Sequence, residues 1–344
     1  MIYPEKISSQ AELEALLALP PEELVDMMRR IDGDIMILGV AGKMGVSMAH
    51  QAVEAIRAAG VEKKVYGVAR FSAPAEREKL ESYGVETIAC DLMDRQAVAA
   101  LPEVKNIIFM AGRKFGTGGS EELTWAMNIL APANVAERFA DSRIVAFSTG
   151  CVYPIADIQS CGCDESVAPA PVGEYSQSCL GRERIFQYYS KKNGTPVLLF
   201  RLNYSIDLRY GVLHDIAMCI KEGRPVDNTV GYFNAIWQGD ATAAALRSLE
   251  LCDSPCAVLN VTGPETASVE KCAHVMGKIM GKEVTFKGVS GTRGYLNDAS
   301  RMCRIFGYPR VSLEQLVIWQ AHWLASGGVS IGKPTHFEVN DGKF

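Results

Sequence analysis

A glycine-rich turn between an apolar run and a helical pattern constrains the fold of this 344-residue chain more than any other feature. The run Ile35–Leu38 leads directly into three glycines, each three residues after the last, and residues 46–59 follow with helical spacing. Such glycines allow a tight turn, let backbone N–H groups approach a pyrophosphate, and bring the helix close to the strand. The pattern predicts a bound dinucleotide. The residues expected to contact it here are Gly39, Gly42, Lys43, Met44 and Gly45.

Beyond this turn, short apolar runs alternate with longer amphipathic stretches, which is typical of a parallel sheet covered by helices. Six runs predict strands at 35–38, 65–68, 85–88, 106–109, 144–147 and 197–200. Helices are predicted near 45–59, 75–82, 94–100, 121–140 and 175–192. The expected fold is α/β, a Rossmann-type doubly wound parallel sheet with a smaller C-terminal substrate lobe.

Changes in the pattern divide the chain into four segments. Residues 1–30 are predicted to be a helical extension that packs on the domain, because Ser9 and Glu12 suit a helix cap and Pro20-Pro21 restarts a second helix. Residues 31–202 are the predicted NAD(P)-binding domain. Residues 203–326 are predicted to form a smaller substrate lobe, with the alternative that part of this segment belongs to the sheet. Residues 327–344 form a tail that is expected to wrap the surface.

The composition argues against several classes of protein. The formal net charge is −5, and the scattered Lys and Arg residues form no basic stripe for nucleic acid. No stretch of about 18 apolar residues predicts a membrane span, and the first residues lack a secretory pattern, so a cytoplasmic location is expected. The ten cysteines lack C-x-x-C spacing and an accompanying His, which predicts free thiols and no metal site.

The end of the second predicted strand favours NADP over NAD. Dinucleotide folds place an acidic residue there to bind the ribose 2′-hydroxyl, or an arginine near it to accept a 2′-phosphate. This chain has Ala69 followed by Arg70. Lys43 is expected to add a second charge at the 2′-phosphate, with a solvated loop lysine as the alternative. Asp91, after the third strand, is expected to bind the adenine amino group, with a helix cap as the equal alternative.

Two segments after the fifth predicted strand carry a family resemblance. Phe147-Ser-Thr-Gly-Cys-Val-Tyr-Pro is followed, after a loop, by Glu174-Tyr-Ser-Gln-Ser-Cys-Leu-Gly-Arg-Glu. With the glycine turn, they resemble the extended short-chain dehydrogenase/reductase superfamily, in its NAD(P)-dependent epimerase/dehydratase branch, from about residue 33 to 325. Further matches, in the same order, are Asn128, Arg201-Leu-Asn, Asp240 and residues 260–265.

The resemblance implies roles for residues at the matching positions. Tyr175 would be the general acid/base that exchanges a proton with a substrate hydroxyl or carbonyl, and Thr149 would hydrogen-bond the same oxygen. It also implies a homodimer through segments 121–140 and 175–192. Further cofactor contacts are expected from Ala111, Gly112 and Cys179, and substrate contacts from Arg113, Lys114, Cys151, Asn203 and Arg209.

One position departs from the family pattern. The family has a lysine four residues after the tyrosine, where its ammonium binds the nicotinamide ribose and lowers the pKa of the tyrosine. This chain has Cys179 there. In one interpretation, Arg113 or Lys114 supplies the charge. In a second, Tyr175 works without a strongly lowered pKa, more slowly or at alkaline pH. In a third, the chain is a catalytically silent NADP(H)-binding regulatory protein that interacts with another protein.

The two residues after Thr149 restrict the type of reaction that is expected. Family members that eliminate water from sugar nucleotides have an Asp-Glu pair there, whereas this chain has Gly150-Cys151. Oxidation/reduction, or epimerisation through a keto intermediate, is therefore expected on a sugar, sugar acid or related polyol. Cations in the substrate cleft favour a carboxylate or phosphate on that substrate. Those expected there are Arg113, Lys114, Arg201 and Arg209.

Overall fold

The computed structural model describes residues 3–114 and 119–339, and its centre is one parallel sheet. Within these ranges the sheet has seven strands: β1 Ile35–Leu38, β2 Val65–Ala69, β3 Glu86–Ala89, β4 Asn106–Phe109, β5 Arg143–Thr149, β6 Val197–Leu202 and β7 Ala257–Val261. Their order is β7-β6-β5-β4-β1-β2-β3, and every neighbouring pair is parallel. The strand order reverses at β1 and β4, so the carboxyl ends of these strands open a crevice. The predicted fold class is confirmed.

All six predicted strands are present, and their bounds lie within two residues of those expected. Strands β1 and β4 are buried along their whole length, because helices cover both faces of the sheet. Strand β7 is not among the predicted strands, and its short apolar run contains Asn260. That side chain is buried, and its Nδ2 donates to the carbonyl oxygens of Cys163 and Asp298 at 2.9 and 3.2 Å. Residues 203–326 therefore contribute a strand to the main sheet.

Helices pack on both faces of this sheet. Those of the described ranges are α1 Gln10–Ala18, α2 Glu22–Arg30, α3 Gly45–Ala59, α4 Pro74–Tyr83, α5 Arg95–Ala99, α6 Glu121–Arg138, α7 Gly173–Asn193, α8 Val212–Glu222, α9 Gln238–Arg247, α10 Val269–Met280, α11 Ser300–Phe306 and α12 Leu313–Ala325. Short strands are Ala156–Asp157, Ser205–Ile206, Val226–Asp227, Tyr232–Phe233, Ile236–Trp237, Ala267–Ser268, Phe286–Lys287 and Arg293–Gly294, and 3-10 turns are Gly150–Val152, Ile158–Ser160 and Ser248–Leu251.

The two helical layers fix the elements that carry the site. On one face, α2, α3 and α9 share a core that includes Met28, Met48 and Leu246. On the other face, α5, α6 and α7 pack around Val135 and Phe186. Because α3 follows β1 directly and α7 packs beside β5, the first turns of both helices lie at the carboxyl edge of the sheet.

The N-terminal extension forms the two helices that the sequence predicts. Ser9 caps α1, and its Oγ accepts the backbone N–H of Glu12 at 3.1 Å. Helix α1 packs on α3 and α9. Its Glu14 pairs with Lys79 of α4 at 2.6 Å and with Arg209 of the second lobe at 3.3 Å. The extension therefore connects the sheet domain to the second lobe.

The second lobe has its own core, and the tail docks into it. Helices α8, α10 and α12 pack together, and Trp237 and Trp319 meet edge to face at 5.3 Å. In the tail, Phe337 is buried in this core. The backbone N–H of Thr335 donates to Asp215 of α8 at 2.7 Å. None of the helices in the two described ranges is long and apolar enough to cross a membrane.

Candidate active site

A cleft of about 450 Å³, here called the central cleft, lies between the carboxyl edge of the sheet and the second lobe. Its walls come from the glycine turn, the loop after β4, the end of β5, the start of α7 and residues 202–211. The tail completes it with Lys333 and Thr335. Two cavities share walls with it. The β2 pocket, of about 330 Å³, lies around Arg70, and the α1 pocket, of about 420 Å³, lies beside Glu14.

Two positions of the glycine turn require glycine. Gly39 has a φ of +92°, and a Cβ there would lie 2.8 Å from the backbone of Ala111. A Cβ on Gly45 would lie 2.2 Å from the carbonyl oxygen of Val40. Gly39 and Gly42, two of the predicted cofactor contacts, line both the central cleft and the β2 pocket. Gly45 instead is buried behind the turn, where it lets α3 approach the strand, so we correct its predicted contact with a ligand.

The β2 pocket contains several predicted cofactor contacts. Arg70 and Asp91 line it, with Ala111 and Gly112 on the side toward the central cleft. The Asp91 carboxylate accepts a backbone N–H two residues further on at 3.0 Å. The cap of α5 is Asp94, so the alternative interpretation of Asp91 as the cap of this helix is wrong. Asp91 therefore closes a turn at the edge of the pocket.

Lys43 does not face the β2 pocket. Its Nζ lies 3.3 Å from the ring centroid of Tyr210 in the second lobe, which is a cation–π contact. Lys43, like its neighbour Met44, lines the central cleft, whereas Arg70 lies in the β2 pocket. The expectation that Lys43 joins Arg70 at a 2′-phosphate is therefore corrected, because the ring of Tyr210 holds the ammonium on the other side of the turn.

Positive charge is concentrated in the central cleft. No Asp or Glu is found among its described lining residues. Burial and the neighbouring charges of Lys114 and Lys333 lower the pKa of Lys43 to about 7. Burial also lowers the pKa of Lys114. An anion is therefore the ligand that best fits this wall. The cations that line the cleft are Lys43, Arg113, Lys114, Arg182 and Lys333.

Tyr175 and Thr149 both line the central cleft. Tyr175 lies in the first turn of α7, and Thr149 ends β5. The Thr149 Oγ1 accepts the backbone N–H of Cys151 at 3.2 Å, which leaves its hydroxyl hydrogen for another acceptor. Burial raises the pKa of Tyr175 well above its usual value; Cys179 and Cys151 add to this shift and Arg182 opposes it. The phenol is therefore protonated at neutral pH and is a proton donor.

Cys179 has the position of the family lysine but does not reach the cleft. Its side chain is 0% exposed and packs with Val152, Tyr153 and Leu296. The Tyr175 hydroxyl donates a hydrogen bond to the Cys179 sulfur, and burial raises the pKa of the thiol. The predicted contact of Cys179 with the cofactor is therefore corrected to a contact with Tyr175, because this short side chain ends inside the core.

Among the described residues, two cations lie near Tyr175. Lys114, in the loop after β4, places its Nζ 5.9 Å from the centroid of the Tyr175 ring. Arg182 lies two turns further along α7 and is 6% exposed. Its guanidinium donates to the carbonyl oxygen of Phe147 at 2.9 Å and to Oδ1 of Asn128 at 2.6 Å. Lys114 is predicted from the sequence and Arg182 is not, although the seven-residue spacing of Arg182 from Tyr175 places both on one side of a helix.

Asn128 of α6 fixes the loop after β4. Its Oδ1 accepts the backbone N–H of Arg113 at 3.0 Å, and its Nδ2 donates to the carbonyl oxygen of Arg113 at 3.2 Å. The same Nδ2 donates to Oγ of Ser178 on α7 at 2.9 Å. The loop that carries Arg113 and Lys114 is thereby held against the helix of Tyr175.

The predicted substrate contacts divide between two cavities. Cys151 and Asn203 line the central cleft, and both are nearly buried. Burial raises the pKa of the Cys151 thiol, so it is neutral. Arg209 lies instead in the α1 pocket, where it pairs with Asp207 at 2.8 Å and Glu14 at 3.3 Å. The expectation that Arg209 contacts substrate in the central cleft is therefore corrected, because two carboxylates hold it elsewhere.

Arg201 is also outside the cleft. It is 3% exposed, pairs with Glu183 at 2.7 Å and donates to the Tyr153 hydroxyl at 2.6 Å. Burial alone would lower the pKa of Arg201, but the Glu183 carboxylate raises it above the usual value. Glu183 also accepts a hydrogen bond from Ser148 at 2.6 Å. This network lies beneath the end of β5 and fixes the backbone next to Thr149.

The fold is shared with known sugar-nucleotide epimerases. A UDP-galactose 4-epimerase is 21% identical with a TM-score of 0.68, over 85% of this chain and 98% of that one. A UDP-glucuronic acid 4-epimerase from Bacillus cereus is 18% identical with a TM-score of 0.70, over 85% and 98%. A UDP-glucose 4-epimerase from Thermotoga maritima is 17% identical with a TM-score of 0.69, over 85% and 98%.

The sequence itself matches one family profile. No curated protein sequence matches the chain. Residues 35–206, half of the 344 residues, match the profile of the NAD dependent epimerase/dehydratase family. This range includes the glycine turn, Thr149 and Tyr175. The chain therefore belongs to the NAD dependent epimerase/dehydratase family.

Proposed function

We propose that the protein catalyses NAD(P)-dependent oxidation/reduction or epimerisation of a sugar, sugar acid or related polyol. Tyr175 is the acid/base, and Thr149 polarises the substrate oxygen. The observation that carries this proposal is that the glycine turn, Tyr175 and Thr149 line one cleft. Similar structures are UDP-sugar 4-epimerases, which supports a sugar as substrate.

The glycine turn fits a nicotinamide dinucleotide. The backbone of Gly39 has no room for a Cβ, and the turn lies at the N-terminus of α3, where N–H groups favour a phosphate. Gly39, Gly42, Ala111 and Gly112 would hold the cofactor at this edge, and Arg70 supports a preference for NADP. When bound, the nicotinamide accepts a hydride from a substrate carbon or returns one.

Tyr175 exchanges the proton that accompanies this transfer. Burial raises the pKa of Tyr175, so the phenol carries a proton at neutral pH that it can pass to a carbonyl oxygen during reduction. During oxidation it must take the proton of a substrate hydroxyl, for which a nearby positive charge is needed. Thr149 would donate its hydroxyl hydrogen to the same oxygen, because its Oγ1 accepts the N–H of Cys151 and its hydrogen is left for another acceptor. Gly150-Cys151 provides no acid for the elimination of water.

The substrate carries an anionic group. Lys43 and Arg113 line the cleft from the sheet domain and Lys333 from the tail, and the described lining residues include no Asp or Glu. Burial first, and then repulsion from Lys114 and Lys333, lower the pKa of Lys43, and a carboxylate or phosphate on the sugar would oppose both effects. A sugar acid or sugar phosphate therefore suits this cleft better than a neutral sugar.

A second candidate function rests on Cys179. A buried thiol stands where the family has the lysine that assists its tyrosine, which favours a catalytically silent NADP(H)-binding regulatory protein. This candidate differs from the enzyme in one observable respect, because a regulator binds NADP(H) tightly and turns over no substrate.

A panel of neutral sugars, sugar acids, sugar phosphates and polyols tests the proposal. Nicotinamide absorbance with NADP and NAD reports oxidation or reduction, and proton NMR of the products reports epimerisation without net redox change. We expect turnover of an acidic member of the panel, lowered about tenfold or more in Thr149→Val. Turnover that Thr149→Val leaves unchanged would remove the proposed role of this residue. Tight NADP(H) binding without any turnover would favour the regulatory protein.

A further inference from the structure

We infer that Arg182 supplies the positive charge that assists Tyr175, acting on the phenol from two turns further along α7. This inference rests on the proposed function, since it concerns the proton that Tyr175 exchanges. Arg182 is a positioning residue in this role, because it acts through Tyr175 and touches no reacting atom.

Helical geometry places the two side chains on one face. Tyr175, Cys179 and Arg182 are spaced by four and three residues, so they follow each other along the same side of α7. Helical side chains lean toward the N-terminus, which directs the long Arg182 side chain back toward Cys179 and Tyr175. The short Cys179 side chain does not extend into the cleft. Both Tyr175 and Arg182 line the central cleft.

The guanidinium of Arg182 is held in one place. It donates to the carbonyl oxygen of Phe147 on β5 and to Oδ1 of Asn128 on α6, at 2.9 and 2.6 Å. It also reaches the loop after β4, because a Cβ on Gly112 would lie 2.3 Å from its Nη2. The position of Gly112 therefore has no room for a side chain while Arg182 occupies this space. Three elements of the cleft fix the charge.

The charge of Arg182 is not neutralised by its contacts. Both of its hydrogen-bond acceptors are neutral oxygens, and its buried Nε has no partner among the described residues. The adjacent carboxylate, Glu183, is bound to Arg201 and Ser148. A buried, unneutralised cation acts strongly on groups around it, because the interior screens charge weakly. Arg182 accordingly lowers the pKa of Tyr175 against the effect of burial.

Lys114 is the competing cation. The titratable and charged groups around Tyr175 are Cys179 and Arg182 on α7, Cys151 after β5 and Lys114 after β4. Burial lowers the pKa of Lys114, which weakens its charge at the alkaline pH where Tyr175 ionises. A guanidinium keeps its proton throughout this range. Arg182 is therefore the cation whose charge persists when the phenol loses its proton.

The test compares Arg182→Gln, which keeps hydrogen-bond donors and removes the charge, with Arg182→Lys and the exposed control Arg184→Gln. The readout is the pH profile of kcat for oxidation of a sugar turned over by the wild type. In Arg182→Gln, we expect the rising limb to shift upward by roughly one to two pH units and kcat near neutral pH to fall about ten- to hundredfold. Arg182→Lys should retain most of the wild-type profile, and Arg184→Gln all of it.

A second measurement needs no turnover. Tyrosinate absorbance near 295 nm is titrated against pH, and the signal of Tyr175 is identified by subtraction of Tyr175→Phe. The signal should move to higher pH in Arg182→Gln. It should also move up in Asn128→Asp, which keeps Arg182 and places a carboxylate against its guanidinium. This second variant decides the matter if Arg182→Gln does not fold.

The two proposals fail in different ways. If no sugar is turned over, the proposed function fails while the titration still tests Arg182. If the pH profile and the tyrosinate signal are the same in Arg182→Gln and wild type, Arg182 has no part in the ionisation of Tyr175. An equal shift in Arg184→Gln would also overturn the inference, because it would indicate a change of net charge alone.

Discussion

Raising the pH from about 6 to about 9.5 should weaken the binding of an anionic sugar in the central cleft, because Lys43 loses its charge in this range. The pKa of Lys43 in the free cleft is about 7. Burial lowers it first, and the like charges of Lys114 and Lys333 lower it further, against the opposing effect of Asp207 and Asp215. A bound anion stabilises the protonated form and therefore raises this pKa.

The sign and the size of the effect follow from that shift. The affinity should be highest below pH 7, where Lys43 is charged before the anion arrives. It should fall as the pH rises from 7 to the raised pKa of the complex, and stay constant above it. A charge-assisted contact contributes about 1.5–3 kcal/mol, and we take the lower end because Lys43 is only half-buried. That is roughly one pKa unit and about a tenfold loss of affinity.

Calorimetric titration of glucuronate into the NADP-saturated Tyr175→Phe protein measures this affinity without turnover. Glucuronate stays ionised over the whole range, and glucose is its neutral counterpart. Lys43→Arg should bind glucuronate with a weaker pH dependence than wild type, because a guanidinium keeps its charge while Lys114 in the same cleft still titrates. Lys43→Met should bind weakly at every pH. Lys282→Met, at an exposed position after α10, should behave as wild type.

A glucuronate affinity that does not change with pH in the wild type would refute the reasoning. So would a Lys43→Met protein that binds glucuronate as tightly as wild type. If the affinity for NADP changes with pH in place of the affinity for glucuronate, Lys43 serves the cofactor and not the substrate.

Three further predictions concern the cofactor, the core and the assembly. Arg70→Ala should weaken NADP binding about tenfold and NAD binding little, although the carboxylate of Glu76 in the same pocket limits the effect. Equal weakening of NADP and NAD binding in fluorescence titrations would show that Arg70 does not bind the 2′-phosphate. Arg201→Leu should lower the free energy of unfolding by about 3–5 kcal/mol, because it leaves the buried carboxylate of Glu183 unpaired. A decrease of less than about 1 kcal/mol, measured by urea unfolding, would contradict this prediction. Leu130 is 51% exposed on α6, the helix that would form the homodimer interface with α7. Leu130→Glu should therefore convert the dimer to monomers, measured by light scattering. A variant with the same mass as the wild-type dimer would argue against this interface.

The sheet could be predicted from the sequence because its strands are continuous apolar runs. Ile35–Leu38 is buried on both faces of the sheet, so every residue of the strand is apolar and the run is visible in the sequence. Strand β7 could not be predicted in this way, because Asn260 is hydrogen-bonded to chain that is distant in sequence. A polar residue with distant partners looks like a loop residue until those partners are known.

The candidate site could also be predicted only in part, for the same reason. Tyr175 and Thr149 stand in local motifs, and the structure brings both to one cleft. The directions of the charged side chains depend on tertiary partners, which local spacing does not contain. The Lys43 ammonium contacts the ring of Tyr210, and Arg201 pairs with Glu183 inside the core. Position alone therefore could not separate cations of the cleft from cations of the core.

The central claim is that Tyr175 exchanges the substrate proton, and one comparison tests it most directly. Tyr175→Phe and the control Tyr188→Phe, at a 57% exposed position of the same helix, are assayed by nicotinamide absorbance on the sugar that the wild type turns over. We predict that Tyr175→Phe loses about 100-fold to 10,000-fold in kcat while its NADP affinity is unchanged, and that Tyr188→Phe keeps full activity. Full activity in Tyr175→Phe would contradict the account.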